Sequence, residues 1–513
     1  MQKVLTPYQM AAADKAAAES GIASADLMDR AGRAVGRAAV AHLGGAYGRR
    51  VTVLCGKGNN AGDGFVAAGY LARRGAACRV VLMADPGDLR GDAKDAFDKM
   101  QGSGARVLPY DPSRLLRELE RSDLVVDAML GTGFKGALDG AMADAAAAAN
   151  AAAAPVLALD IPSGVNGETG QVQTEAVRAF KTVTLGALKT GLLLQPGASY
   201  AGEVLVEDIG IPDEMMQAGL FLAGARDLEG VIPARLPTAH KRSTGKVLVV
   251  AGSISMAGAA ILAANGALRA GAGLVRMAVP ECIRSSAGPQ VIEALTAGMP
   301  DTAKGAFSFD AVGPVVELAG QMQVVALGPG IGKDTETMNF VTEVLNAVDR
   351  PVVLDADAIC AFQGHPEALK ERPAPTIITP HAGELARLLG RTPEQIDAGR
   401  IPAAQEAARR TGAVVLLKGF RTVVARPDGR TVMVDAGGPV LSTGGSGDVL
   451  TGVIAALATG MDPFTAAWAG ACLHGLAGDA LAGWMGDRGV VAQDLLKALP
   501  LMSLKVAGPG SNN

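Results

Sequence analysis

The chain has 513 residues, 49% hydrophobic and 19% charged, with 47 Lys and Arg against 51 Asp and Glu and a net charge of −4. At ~150 residues per domain this length allows about three units. The composition excludes a disordered, membrane-spanning or nucleic-acid-binding chain, because it is ordinary for a globular protein and has no basic stripe.

The opening residues Met1 to Pro7 lead into an amphipathic helix interrupted by Asp14, Lys15 and Glu19. Without the apolar core of a signal peptide, this start predicts a cytoplasmic protein. From Arg50 to Pro212, β-branched runs alternate with helical patterns: 51–55, 78–82, 123–127, 156–160 and 181–185. That alternation predicts a parallel α/β sheet. The alanine tract from Ala141 to Ala154 reads as a crossover helix, since alanine is the best helix former and a strand follows directly. Between Asp208 and Arg242 the periodicity lapses among prolines and charges, which predicts a domain boundary. A second alternation starts at 246–252 and continues at 324–327, 352–355, 376–379 and 414–417. The expected organisation is a first domain over residues 1–222, a linker over 223–242 and a second domain over 243–506. The five cysteines are scattered in apolar sequence and read as buried thiols, and neither they nor the five histidines have zinc spacing.

In the first domain the opening strand runs into Gly56-Lys57-Gly58-Asn59-Asn60-Ala61-Gly62-Asp63-Gly64 and then a helix. Strand, glycine loop and helix in that order is a phosphate-binding layout at the carboxyl edge of a sheet. Asp127, the run Gly131-Thr132-Gly133-Phe134-Lys135-Gly136 and the run Asp160-Ile161-Pro162-Ser163-Gly164 fall at the same edge. Asp127 lies on an apolar strand and needs a cation or hydrogen-bond donors. Asn60, Asp127 and Ser163 supply hard oxygens with a single carboxylate, a set suited to potassium rather than zinc. Asp160 is the best placed general acid or base; the alternative is an Asp that only caps the turn before Pro162.

In the second domain Ser442-Thr443-Gly444-Gly445-Ser446-Gly447-Asp448 runs directly into an apolar helix. Small residues let backbone N–H groups close around an oxyanion, and the helix dipole adds to them. Asp448, in the first turn, reaches whatever that cradle holds and can take a proton from a hydroxyl that attacks a phosphoryl group. Alone, such a run is better read as a glycine turn whose Asp caps a helix, and the rest of the chain shifts that balance.

The motifs GKGNNAGDGF, GTGFKG, DIPSGV and KTVTLGALKTGLLLQPG resemble the amino-terminal epimerase unit of the bifunctional NAD(P)H-hydrate repair enzymes. HKRSTGKVLVVAGS, GAGLV, GPGIG, DADAI, TPHAGE, KGFRT and GGSGD are similar to the dehydratase unit of that family, in the family's own order. Ala61 departs from the family pattern, which has a second glycine there. The resemblance implies a two-domain α/β chain, a Rossmann-like three-layer sandwich followed by a ribokinase-like domain. It implies epimerisation of the R and S forms of hydrated NADH and NADPH (NADHX and NADPHX), and ADP-dependent dehydration of the S form with magnesium bridging the phosphates.

Carried over by motif position, the epimerase substrate would meet Asn59, Asn60, Ala61, Gly62, Asp63, Gly131, Thr132, Gly133, Phe134, Lys135, Gly136, Ala137 and Asp160. Potassium would sit on Asn60, Asp127 and Ser163. In the dehydratase unit the substrate would meet Ala259, Gly330, Gly332, His381 and the base Asp448. The nucleotide would meet Lys418, Gly419, Phe420, Arg421, Thr422 and Gly447. His381 could instead only cap the helix that follows it, and Asp355 and Asp357 could hold magnesium through water or simply order their loop. The family also implies a homo-oligomer. A different reading makes the second domain a ribokinase-like kinase of a small alcohol and the first a non-catalytic binding module.

Overall fold

The computed structural model describes residues 1–232, 237, 238, 240 and 244–506. The chain divides into two compact units, Gln2–Ala218 and Gly219–Asn513, the latter including Met1.

The strands of the first unit are β1 (Gln2–Leu5), β2 (Arg50–Cys55), β3 (Ala77–Leu82), β4 (Arg106–Pro109), β5 (Leu124–Ala128), β6 (Val156–Leu159), β7 (Lys181–Leu185), β8 (Leu188–Lys189) and β9 (Glu203–Glu207). Seven form a parallel sheet in the order β4-β3-β2-β5-β6-β7-β9, while β1 and β8 pair in parallel beside it. Both faces of the central strands are buried, so β5 and β6 are largely apolar rather than alternating. Val53, Cys55, Val80 and Val126 pack with Met28, Phe65, Leu71 and Phe97 on one face. Leu54, Val81 and Val125 pack with Leu115, Leu119, Ala145 and Ala149 on the other. The period-two alternation of strand side chains therefore creates two cores and three layers. The alanine tract forms the helix Gly140–Ala151, as expected, and its small side chains sit close to the sheet. The chain leaves β2 toward β3 and β4, then returns to lay β5 on its other side. Ligand sites of such sheets open at this reversal.

The second unit contains β10 (Leu220–Ala223), β11 (Lys246–Val250), β12 (Leu274–Pro280), β13 (Leu295–Met299), β14 (Val324–Leu327), β15 (Val352–Leu354), β16 (Thr376–Ile378), β17 (Val414–Leu417), β18 (Val423–Ala425) and β19 (Thr431–Val434). They run in the order β13-β12-β11-β14-β15-β16-β17-β18-β19-β10. Pairing is parallel from β13 to β17, and β18 is antiparallel to both β17 and β19. Val247, Val249, Val324 and Ala326 pack with the helices Ala257–Arg269, Ser446–Leu457 and Pro463–Met485. Leu248, Val250, Val325 and Leu327 are equally buried on the opposite face.

Two features differ from the sequence reading. The division falls at Gly219 rather than after residue 222, because β10 pairs with β19 in the second unit. The expected linker over 223–242 is also partly core: Leu228, in the turn Ala225–Leu228, is fully buried there. Residues 233–236, 239, 241 and 242 of that stretch lie outside the described residues.

Candidate active sites in the two units

In the first unit a cavity of about 1020 Å³ opens at the carboxyl ends of β2, β5 and β6. Asn59, Asn60, Asp63, Gly131, Thr132, Gly133, Phe134 and Asp160 all line it, so three separated motifs converge as expected. Lys135, Gly136 and Ala137 do not line it, and Lys135 and Ala137 are exposed. Ala61 and Gly62 turn inward from the helix Asn59–Ala72. Ala61 is fully buried, and the space beside Gly62 is filled by Met28 and Ala93. Ala61 lies in a right-handed helical turn and is absent from the positive-φ residues, so its methyl costs nothing in backbone strain.

Asp160 follows β6 directly and adopts φ 66°, the left-handed region that Asp tolerates better than most residues. Its Oδ1 accepts three donors: Lys189 Nζ at 2.6 Å, the Leu185 N–H at 3.1 Å and Thr184 Oγ1 at 3.2 Å. Asp63 and Asp14, on two different helices, line the same cavity. Neither carboxyl has a hydrogen-bond or ion-pair partner among the described residues, and burial pushes both upward. Asp63 lies well above the ordinary carboxylate range, with Asp160 and Asp14 adding to the burial effect and Lys189 opposing it. Three carboxyls therefore share one buried ammonium, and only Asp160 bonds to it.

Asp127 finds donors rather than a bare apolar surround. Its Oδ2 accepts the Ser163 N–H at 2.7 Å, and its Oδ1 accepts Ser163 Oγ at 2.6 Å and the Met129 N–H at 3.2 Å. Burial still raises its carboxyl to about 6, against these three bonds. The Leu130 N–H donates to Ser163 Oγ at 3.0 Å, while Asn60 Nδ2 donates to the Leu130 carbonyl at 3.0 Å. Asn60, Asp127 and Ser163 thus gather around the backbone of Met129 and Leu130. Both Asp127 oxygens are taken by these donors, and Asn60 Oδ1 is the oxygen of the set with no donor among the described residues.

In the second unit the candidate residues sit on the loops that leave β14, β15, β16 and β17, and on the N-termini of the helices Ala257–Arg269 and Ser446–Leu457. The helices Ala257–Arg269 and Ser446–Leu457 cross backbone to backbone: Gly452 lies against the Ala263 carbonyl, and Gly266 lies against the Val449 carbonyl. This close packing sets their N-terminal ends. Gly445, at φ 87°, turns the chain into the second helix, leaving first-turn amides without intrahelical acceptors. Gly330, at φ 65°, sits against Ala259 and Met256, which brings two of the expected substrate positions together. The Gly332 N–H donates to Asp357 Oδ2 at 3.1 Å, so Asp357 orders the GPGIG loop.

Asp355, at the end of β15, is 1% exposed and ties the site together. Its Oδ1 accepts Thr379 Oγ1 at 2.7 Å and Lys418 Nζ at 2.8 Å, and its Oδ2 accepts Thr451 Oγ1 at 2.6 Å. Both oxygens are committed, and among the described residues no cluster of three His, Cys, Asp or Glu could cage a metal ion. Asp448 sits beside this hub. Burial first, then the Asp355 charge, raises its carboxyl to about 7 against the opposing Lys418. A base titrating near neutrality is suited to moving a proton in either direction.

His381 caps the helix Ala382–Leu389: its Nδ1 accepts the Gly383 N–H at 3.0 Å and the Glu384 N–H at 3.3 Å. The capping alternative is therefore present in the structure, and Nε2 lies 3.3 Å from Glu384 Oε1. In the run 418–422, Phe420 is half exposed, and Arg421, at φ 46°, pairs with Asp435 at 2.9 Å. Arg400 holds this loop from behind by donating to the carbonyls of Leu417 at 3.2 Å and Lys418 at 3.1 Å.

Sequence reasoning passed over Asp14, Lys189 and Arg400. Lys189 had a usable signal, because a lysine inside the apolar run 185–194 has to be paired if it is buried. Asp14 and Arg400 had none, being single charges on helices of ordinary pattern.

The family described as NAD(P)H-hydrate dehydratase matches residues 247–501, and that described as YjeF-related protein N-terminus matches residues 24–191. The bifunctional NAD(P)H-hydrate repair enzyme of Moorella thermoacetica is 42% identical over 507 residues, covering 97% of this chain and 96% of the relative. That of Thermofilum pendens is 39% identical over 503 residues, covering 97% and 95%. A ribokinase-like superfamily protein of Enterococcus faecalis superposes with a TM-score of 0.50 at 26% identity, covering 57% of this chain and 98% of that one. With both halves matched in one continuous alignment, the chain belongs to the family of bifunctional NAD(P)H-hydrate repair enzymes.

Proposed function

We propose that the chain repairs NADH and NADPH hydrated on the nicotinamide ring, the first unit interconverting the R and S epimers and the second dehydrating the S epimer with a nucleotide as phosphoryl donor. The observation that carries this reading is the pair of separate sites, each with one carboxylate poised for proton transfer: Asp160 in the first and Asp448 in the second.

The hydrated carbon bears both a hydroxyl and the ring nitrogen, so it can invert by ring opening. Asp160 takes the hydroxyl proton, the carbon–nitrogen bond breaks as the carbonyl forms, and Asp63 gives the nitrogen a proton. Rotation and reclosure return both protons and present the opposite face. Asp63, pushed up by burial, is suited to the acid role, since a pair of carboxyls in unlike environments divides acid from base. Potassium, held by Asn60, Asp127 and Ser163, would supply a fixed positive charge beside the substrate phosphates.

In the second unit Asp448 takes the proton of the ring hydroxyl as that oxygen attacks the terminal phosphoryl group of ADP, releasing AMP. The amides of Gly444 to Gly447 and the helix dipole stabilise the charge on the transferring group. Orthophosphate then departs with the carbon–oxygen pair, assisted by the ring nitrogen's lone pair, and loss of the neighbouring ring proton restores the dihydronicotinamide. Asp355, with both oxygens committed, keeps Lys418 toward the nucleotide. Magnesium, carried by the nucleotide, would neutralise part of the phosphate charge beside Lys418. Among the described residues no helix is long and apolar enough to cross a membrane, and we read the protein as a cytoplasmic homo-oligomer.

Asp160→Ala separates the two activities. It abolishes epimerisation and leaves dehydration of the pure S epimer at the wild-type rate; retained epimerisation would remove Asp160 from the mechanism.

A further inference from the structure

The run KTVTLGALKTGLLLQPG contains a lysine that the chemistry above leaves without a role. Lys189 is 1% exposed, among the largest side chains sealed in the interior. Burying an ammonium is unfavourable unless it is paired, so its surroundings must compensate for it. Its Nζ donates to Asp160 Oδ1 at 2.6 Å and to the Leu185 carbonyl at 2.5 Å. Its backbone is fixed by the pairing of β8 with β1, where Leu5 faces Lys189, and the hydroxyl of the next residue, Thr190, reaches the Leu5 carbonyl at 3.4 Å.

All three donors to Asp160 converge on one oxygen. Lys189 Nζ, Thr184 Oγ1 and the Leu185 N–H all meet Oδ1, while Oδ2 has no hydrogen-bond partner among the described residues. The same carboxylate lines the cavity. A free carboxylate can present either oxygen and swing about χ2, and this one cannot. The charged groups that face it are Lys189, Asp63 and Asp14, of which Lys189 is the single cation.

We propose that Lys189 is the positioning residue of the epimerase site, fixing Asp160 through Oδ1 so that Oδ2 alone receives the substrate's hydroxyl proton. This inference rests on the reading of Asp160 as the base. The hydroxyl O–H bond breaks, its proton passes to Oδ2 and returns on ring closure, and Lys189 keeps its own protons throughout. Lys189→Met keeps the stem and removes the charge.

The test measures epimerisation of the S hydrate by full-length protein across pH, with dehydration by the second unit and the melting temperature of each variant as folding checks. Lys189→Met is expected to lower kcat about 100-fold, as misplacement of a reacting group does, with KM little changed and the acid limb of the pH profile moved to higher pH. Thr184→Val, which removes a neutral donor to the same oxygen, is expected to shift that limb in the same direction by less. A folded Lys189→Met protein with wild-type kcat and profile overturns the proposal. If that variant does not fold, an unaltered profile in Thr184→Val overturns it. A wild-type protein that does not epimerise refutes the reading of the site itself, which distinguishes the two failures.

Discussion

Replacing Asp448 by Asn should make the second unit more stable and almost inactive, with a stability gain that depends on pH. Its carboxyl is raised from 3.8 to about 7 by burial and by the Asp355 charge. At ~1.4 kcal/mol per unit this corresponds to ~4 kcal/mol. Asp448 keeps part of its surface in solvent, and halving the figure for screening leaves ~2 kcal/mol. Because the folded value lies above the unfolded one, the stability tied to this group is full below pH ~4, is lost as pH rises toward ~7, and is flat beyond. The Asn variant has no such loss. Thermal unfolding of both proteins followed by circular dichroism should therefore give equal melting temperatures near pH 4, with the variant higher by roughly 4–8 °C at pH 8. Dehydration of the S epimer should fall at least ~100-fold, the usual contribution of a positioned base. A variant no more stable than wild type at pH 8, or one that turns over normally, would refute the argument that this carboxyl is strained into its role.

Other parts of the structure give further tests. Gly452→Val should destabilise the second unit by ~3 kcal/mol or more, since its side chain would collide with the Ala263 carbonyl and no flexible group can yield; a melting temperature within a degree of wild type would contradict that packing. Ser163→Ala removes one hydroxyl from Asp127 and from the peptide of Leu130. It should raise the potassium concentration needed for half-maximal epimerisation about tenfold, as loss of a group around a metal does, whereas an unchanged requirement would move the cation elsewhere. Arg400→Ala should raise the KM for nucleotide in the dehydration assay with little change in kcat, because it loosens the carbonyls of 417 and 418; an unaltered KM would detach this arginine from the site.

The sheets were legible because each central strand is a short β-branched run bounded by glycine or polar residues. Strands 181–185, 324–327 and 414–417 have the predicted ends. The edge strands β4, β9 and β13 were not legible, since a strand with one neighbour needs no continuous apolar run. The hairpin of β18 and β19 hides in the mixed sequence after Lys418, where only its pairing with β17 and β10 identifies it as sheet. The carboxyl-edge residues of the first site could be read from spacing, because strand ends in a parallel sheet converge whatever the loops do. The ring of Asp14, Asp63 and Lys189 around Asp160 could not, because it joins residues up to 175 positions apart on elements with no shared motif. Lys135 fails for a related reason: a motif specifies sequence proximity to a site, and the loop after Phe134 turns outward.

The central claim is that one chain carries two complementary repair activities. Purified protein is given an equal mixture of R and S hydrated NADH with potassium, magnesium and either ADP or ATP, and the absorbance of regenerated dihydronicotinamide is followed together with released orthophosphate. Recovery of the whole mixture, with one orthophosphate per NADH and with ADP serving as donor, is the predicted result. Recovery that stops at the S fraction would contradict the epimerase reading, and a stable phosphoester without NADH would contradict the dehydratase reading.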